Sequence, residues 1–317
     1  MGIGPRITED SSSQASEKKQ VTFQFEMLSP RFSRENIVLS SDTESALLDF
    51  LALKSQYDKV FNFWGLAETH GHQKQNSVNF YGPPGTGKTM AAHVIAKEMG
   101  KKLIPVSYAE LESKYVGETS KNITSLFETA KNNDAIIFFD EADAILSRRV
   151  TNMSHATDVS VNQTRSVLLT LMDDHDGLII FTTNFIENYD PAFMRRILSH
   201  IKFSLPDHAA RERIWRMYLP SAMPTQVNMD SLIEMSEGLS GAEISRAVVK
   251  AALSAARLGL DCVSSNFFFT AVSEIKEAKV ANSQRGQSVK LERQDRHVDH
   301  EYVKEKLGEE KMKEIMG

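Results

Sequence analysis

The sequence predicts an α/β fold, a doubly wound parallel sheet followed by a small all-helical subdomain. Three observations predict it. Short apolar runs alternate with helically periodic segments from Val78 to Leu205. One run, Ala135-Ile136-Ile137-Phe138-Phe139, is apolar at every position, as a strand buried on both faces requires. Beyond Pro206 the strand signals stop and helical patterns take over.

Taken in order, residues 1–20 carry Ser11-Ser12-Ser13-Gln14 and Glu17-Lys18-Lys19-Gln20 and offer almost nothing to bury, so a disordered tail is expected. Val21–Met27 alternates apolar and polar residues, which suits either a short strand or an extended segment docking on a partner. Ser41-Asp42-Thr43-Glu44 reads as a helix start, and Leu47, Leu48, Phe50, Leu51 and Leu53 supply its apolar face. Tyr57–Leu66 reads as an irregular aromatic connector. Lys102–Ser107 is a second strand after the one at Val78–Tyr81, and Ile123, Leu126, Phe127 and Ala130 mark a helix. Val167, Leu168, Leu171 and Met172 mark another, broken by Asp173-Asp174-His175-Asp176-Gly177. Leu178–Thr183 and Ile201–Leu205 are the remaining strands. Ala209–Leu219, Met229–Ser236, Gly241–Leu258 and Phe267–Val280 are helical patterns, and a charged tail from Ala281 is expected to be a solvated helix from about Val298. The expected division is a tail and short segment over 1–40, an α/β nucleotide-binding part over 41–206, a helical lid over 207–280 and the charged tail over 281–317.

The chemistry concentrates at strand ends. Val78-Asn79-Phe80-Tyr81 runs into Gly82-Pro83-Pro84-Gly85-Thr86-Gly87-Lys88-Thr89 and then the apolar-periodic Met90–Met99, which is strand, phosphate loop and helix. The glycines let successive backbone N–H groups face phosphate oxygens without a Cβ in the way. Lys88 is placed to reach the β- and γ-phosphates and Thr89 a magnesium ion, while the helix N-terminus attracts the same anion. Gly and Pro clusters mark ordinary turns too, but a turn does not call for Lys-Thr at a helix start. Asp140-Glu141 ends the most apolar strand, where an aspartate can hold magnesium and a glutamate can orient or deprotonate water. An isolated Asp-Glu pair is usually a solvated turn, and here the two motifs corroborate each other. Asn184 ends the next strand and could bond the attacking water or the γ-phosphate; alone it would be a turn residue or helix cap. Arg195 and Arg196 follow Asp190-Pro191 and are expected to lie too far from the phosphate loop for an intramolecular role, and arginines that stabilise phosphoryl transfer are often supplied in trans. Surface salt bridging is their simpler alternative.

These motifs, in this order and spacing, resemble an ATPase of the AAA family, especially the single-ring protein remodellers such as katanin, spastin and the ESCRT-disassembling enzymes. Gly82–Thr89 resembles the Walker A motif, Ile136–Asp143 the Walker B motif, Thr183-Asn184 sensor 1, and Arg195-Arg196 the arginine fingers. Gly238–Ile244 is similar to the start of the lid helix bordering adenine and ribose. The resemblance covers about residues 45–280. It implies ATP and Mg2+ as cofactors. Binding falls to Gly82, Pro83, Pro84, Gly85, Thr86, Gly87, Lys88, Thr89, Met90, Asp140, Gly241 and Ala242, and metal ligation to Thr89 and Asp140. Catalysis falls to Lys88, Glu141, Asn184, Arg195 and Arg196. It further implies a homo-hexameric ring, with ATP at each subunit interface and Lys114-Tyr115-Val116-Gly117 as a pore loop gripping a polypeptide; residues 151–160 correspond to a second pore loop. Two departures from the family pattern, Phe185-Ile186 after the sensor asparagine and Ile197 after the arginines, bear on contacts between subunits and spare the nucleotide chemistry. No H-E-x-x-H zinc motif occurs, so any proteolysis belongs to a partner.

Composition narrows the function class. The 317-residue chain carries a formal net charge of -5, which disfavours a dedicated nucleic-acid surface, and its one cysteine excludes an internal disulfide. With no signal-peptide pattern and no apolar run near the roughly 20 residues a membrane span needs, a cytoplasmic location is expected. The leading expectation is an ATP-driven remodeller that unfolds or disassembles protein substrates through a pore. The alternatives are a nucleotide-switched scaffold or assembly factor that does not thread, and an unfoldase feeding a separate protease. Recruitment is expected to rest on Val21–Met27, on the tail after Ala281 or on a separate adaptor.

Overall fold

The computed structural model describes residues 25–56, 59–70, 76–106, 119–147, 156–184 and 189–287. The expected tail at 1–20, the pore-loop residues Lys114, Tyr115, Val116 and Gly117, the segment 151–155, Phe185-Ile186 and the charged segment after 287 lie outside them.

Five strands form the main sheet: β1 (Ser77–Tyr81), β2 (Leu103–Val106), β3 (Ile136–Phe139), β4 (Ile179–Thr183) and β5 (Ser199–Lys202). Their order is β2-β3-β4-β1-β5 and every pairing is parallel. This is the expected doubly wound α/β layer. Because β4 lies between β1 and β3, the strand ends leading to Gly82, Asp140 and Asn184 are adjacent. In an open parallel sheet that edge is where ligands bind.

Side chains alternate across each strand, and both faces are covered. Ile136 and Phe138 join Val78, Phe80, Ile180 and Ile201 in a core closed by helices Ser41–Ser55 and Lys88–Glu98. Ile137 and Phe139 join Ile104, Val106, Ile179 and Phe181 in a second core, closed by helices Thr119–Asn132 and Ala156–Asp174. Phe139 and Phe181 stack across β3 and β4 with ring centroids 5.2 Å apart.

Several boundaries move from their expected places. The fifth strand begins at Ser199, two residues before Ile201, because its parallel register starts with Ser199 opposite Val78. The helix carrying Leu168 and Met172 begins at Ala156, its first turns being too polar to show an apolar face. The connector at Tyr57–Leu66 contains a π-helical turn, Lys59–Phe63. Of the alternating segment Val21–Met27, residues from Phe25 are described: Phe25 and Met27 pack on the second core, and Leu28 forms an antiparallel bridge with Leu103 on β2. The following residues continue to Leu39, which is buried in the first core.

After Pro206 come helices His208–Tyr218, Met229–Met235, Gly241–Arg257 and Ser265–Gln287. Asp207 caps the first by accepting from the Ala210 N–H at 2.8 Å, which holds its carboxyl below the usual range. Ser240 and Glu243 form a capping box on the third. Trp215 is fully buried edge-on against Phe268 and donates its indole N–H to Ser236 Oγ at 3.0 Å. Buried Arg211 donates to Ile233 O at 3.0 Å and Pro206 O at 3.1 Å, tying the first helices to the segment leaving the sheet. One feature departs from the all-helical expectation: β6 (Thr225–Gln226) and β7 (Val263–Ser264) pair in parallel. Strands of two residues are too short to show alternation. The chain forms two compact units, residues 1–272 and 273–317. Among the described residues no helix is long and apolar enough to cross a membrane.

Candidate functional site

A cleft of about 330 Å³ opens at the carboxyl edge of the sheet. One wall is Pro84–Met90, and a second is Asp140, Glu141 and Thr182–Asn184. Ile37, Val38, Ile214, Met217 and Tyr218 form an apolar end, with Gly241 and Ala242 beside it. All the residues expected around the phosphates except Gly82 and Pro83 line it, and those two contact Lys88 from the loop.

Lys88 opens helix Lys88–Glu98, which follows Gly87 in the left-handed conformation at φ 99°. Its Nζ donates to Gly82 O at 2.7 Å, Pro83 O at 2.9 Å and Asn184 Oδ1 at 2.9 Å. Burial lowers its pKa, opposed by the charges of Asp140 and Asp143. A buried ammonium resting on neutral carbonyls suits an incoming phosphate, which supplies the missing counter-charge. Asn184, at the end of β4, thus meets the loop lysine directly.

Thr89 Oγ1 lies 3.1 Å from Asp140 Oδ2 and 3.4 Å from Oδ1. These are oxygen ligands only, the set that magnesium prefers, so the expected pair fits that ion. Thr182 organises the acidic residues from the neighbouring strand. Its hydroxyl donates to Asp140 Oδ1 and accepts from the Glu141 N–H at 3.1 Å. Glu141 itself has φ 52°, a left-handed conformation that costs a non-glycine residue roughly 1–2 kcal/mol. The Ala142 N–H holds the next peptide on Thr182 O at 2.8 Å, so β4 fixes the strained turn.

Two loop glycines are required by close approach. A Cβ on Gly82 would lie 2.1 Å from Phe203 O, and one on Gly85 would lie 2.8 Å from Ser240 Oγ and 2.9 Å from Ala242 Cβ. Gly85 O accepts from the Ala242 N–H at 3.2 Å. The start of helix Gly241–Arg257 therefore touches the phosphate loop directly.

The paired arginines differ. Arg196 makes a bidentate pair with Asp173, Nε to Oδ1 and Nη2 to Oδ2 both at 2.8 Å, and donates to Ala192 O at 3.1 Å. Arg195 is exposed. For Arg196, then, the salt-bridge alternative is realised within the chain, whatever else it contacts. Sequence reasoning missed Thr182 and the apolar end of the cleft, and it named Thr183 only together with Asn184 in the sensor motif. A signal existed for the threonines, the only polar residues of β4, immediately before Asn184. No local pattern marked Ile37, Val38, Met217 or Tyr218.

Fold and site together are those of the P-loop nucleotide-binding α/β class. The model of the ATPase family associated with various cellular activities (AAA) matches residues 78–205, and the chain carries an AAA ATPase domain. It is 37% identical over 213 residues to a proteasome-activating nucleotidase of Saccharolobus solfataricus, covering 65% of this chain and 54% of the relative. A proteasome-activating nucleotidase of Methanopyrus kandleri is 34% identical over 226 residues, 69% of this chain and 52% of the relative. The 26S proteasome subunit RPT4 of Saccharomyces cerevisiae is 33% identical over 217 residues, 66% and 49%. The chain thus spans about half the length of the curated relatives it matches.

Proposed function

We propose that the chain hydrolyses Mg-ATP in a homo-hexameric ring and uses the energy to unfold or disassemble polypeptides, feeding a separate protease or releasing the product. The observation that carries the reading is the convergence of Lys88 and Thr89 on one wall of the cleft with Asn184, Asp140 and Glu141 on the other. Gly82–Thr89 cradles the phosphates, Met90, Gly241 and Ala242 border the nucleoside, and the apolar end at Ile37, Met217 and Tyr218 takes the base. Magnesium, held by Thr89 and Asp140, would offset the charge of the phosphate oxygens. Glu141 orients and deprotonates the attacking water, which Asn184 helps to place while bonded to Lys88. Arg195, with Arg196, serves the neighbouring subunit's site. Because Ala242 contacts the phosphate loop at Gly85, a change at the phosphates is felt first by helix Gly241–Arg257.

The protease-feeding form is supported by relatives named for activating proteasomes. The test is ATP-dependent loss of structure in a folded, fluorescent reporter bearing an unstructured tail. Wild type should unfold it, and Tyr115→Ala should retain ATPase activity while losing unfolding. Unfolding that survives Tyr115→Ala would overturn threading. Insensitivity to Tyr115 combined with nucleotide-dependent partner binding would favour the scaffold instead.

A further inference from the structure

Asn79 is fully buried at the middle of β1, between Val78 and Phe80, which belong to the apolar core. An amide there is costly unless it is hydrogen-bonded. Its partners form a path across the sheet. The Tyr189 hydroxyl, itself buried, donates to Asn79 Oδ1 at 3.4 Å and also hydrogen-bonds Thr183. Thr183 donates to Asp143, whose charge acts on Lys88, and it immediately precedes Asn184. On the other side Asn79 Nδ2 faces His200 Nδ1 at 3.5 Å, the residue directly opposite it on β5. With Nδ1 accepting, the ring proton sits on Nε2, and the ring hydrogen-bonds the Met194 backbone, which leads directly into Arg195 and Arg196.

We propose that Asn79, Tyr189 and His200 are positioning residues. Their buried hydrogen-bond path links the phosphate-sensing end of β4 to the segment that presents Arg195 and Arg196, so the state of one subunit's cleft sets how well its arginines serve the next. A purely structural role requires only that the Asn79 oxygen and nitrogen each find a partner, wherever those partners lead. The path instead has both ends at functional elements: Asp143 and Thr183 beside the lysine and sensor asparagine, Met194 beside the arginines. The proposal rests on the in-trans reading of the arginines given above.

The test uses subunit mixing. Full-length wild type is doped with an excess of Glu141→Gln chains, which contribute arginines but no hydrolysis of their own. Three second substitutions are compared in that doping chain: Tyr189→Phe, Asn79→Leu, and Arg195→Ala with Arg196→Ala. Tyr189→Phe keeps the ring and deletes one hydroxyl, so it folds even where Asn79→Leu does not. The Tyr189→Phe dopant should lower turnover at the wild-type sites about tenfold relative to Glu141→Gln alone, the scale expected for a displaced catalytic group. The KM for ATP should stay within about twofold, since substrate binding at those sites is untouched. Equal turnover with and without Tyr189→Phe overturns the path. If the double-arginine dopant also has no effect, the in-trans reading itself is wrong; if only the arginine dopant acts, the arginines work in trans and the path is merely structural.

Discussion

Acidification should weaken this fold through His175, and the effect can be sized. His175 is 5% exposed, packs edge-on against Phe127 with centroids 5.0 Å apart, and its Nε2 has no hydrogen-bond partner among the described residues. Burial lowers its pKa to about 4 from the ordinary histidine value of about 6.5. A lowered folded-state pKa means the unfolded chain binds the proton first. The stabilisation is therefore complete above about pH 6.5 and is lost as pH falls from there towards 4. Between pH 7.5 and pH 5 the loss is about 2 kcal/mol, and below pH 4 it approaches about 3.4 kcal/mol. The site matters for function because His175 lies two residues after Asp173, the clamp on Arg196. Urea unfolding followed by circular dichroism at pH 7.5 and pH 5, in wild type and His175→Leu, isolates the contribution. The variant should lose about 2 kcal/mol less than wild type over that interval. An identical pH dependence in both proteins would refute the assignment.

Gly85→Ala should weaken nucleotide binding at least tenfold while the α/β core stays folded, because the new Cβ drives Ser240 and Ala242 off the loop; isothermal titration with a non-hydrolysable ATP analogue checks this. Thr89→Ala should retain nucleotide binding without metal but lose the gain that magnesium gives, measured by the same titration with and without Mg2+. Arg211→Met should cost about 2–4 kcal/mol by leaving the Pro206 and Ile233 carbonyls unsatisfied in the interior, seen as a lowered urea midpoint. ATP turnover per chain should fall on dilution if Arg195 acts across an interface; concentration-independent turnover down to a demonstrated monomer would contradict that.

What the sequence revealed follows from how local the cause was. Ile136–Phe139 announced a doubly buried strand because every side chain must be apolar there, and Asp140-Glu141 stood out by ending it. The phosphate loop was equally legible, since its spacing is set by the backbone's approach to an anion. The insertion of β4 between β1 and β3 is a pairing choice that no strand records alone, yet it is what brings Asn184 to within 2.9 Å of Lys88. Thr182 read as an ordinary strand residue; only its neighbour on β3 makes it the holder of Asp140 and Glu141. Asp173 and Arg196 are 23 residues apart, so their pairing depends on how the strand between them returns. Asn79 was visible as a polar residue in an apolar run, but its partners Tyr189 and His200 lie more than a hundred residues away.

The measurement closest to the central claim compares Glu141→Gln with wild type in ATP binding and single-turnover hydrolysis. With Lys88, Asn184, Thr89 and Asp140 intact, the variant should bind Mg-ATP with affinity within about threefold of wild type, while hydrolysis falls by about a hundredfold or more, the scale of a lost general base. Hydrolysis at the wild-type rate by Glu141→Gln would contradict the assignment of the cleft's chemistry.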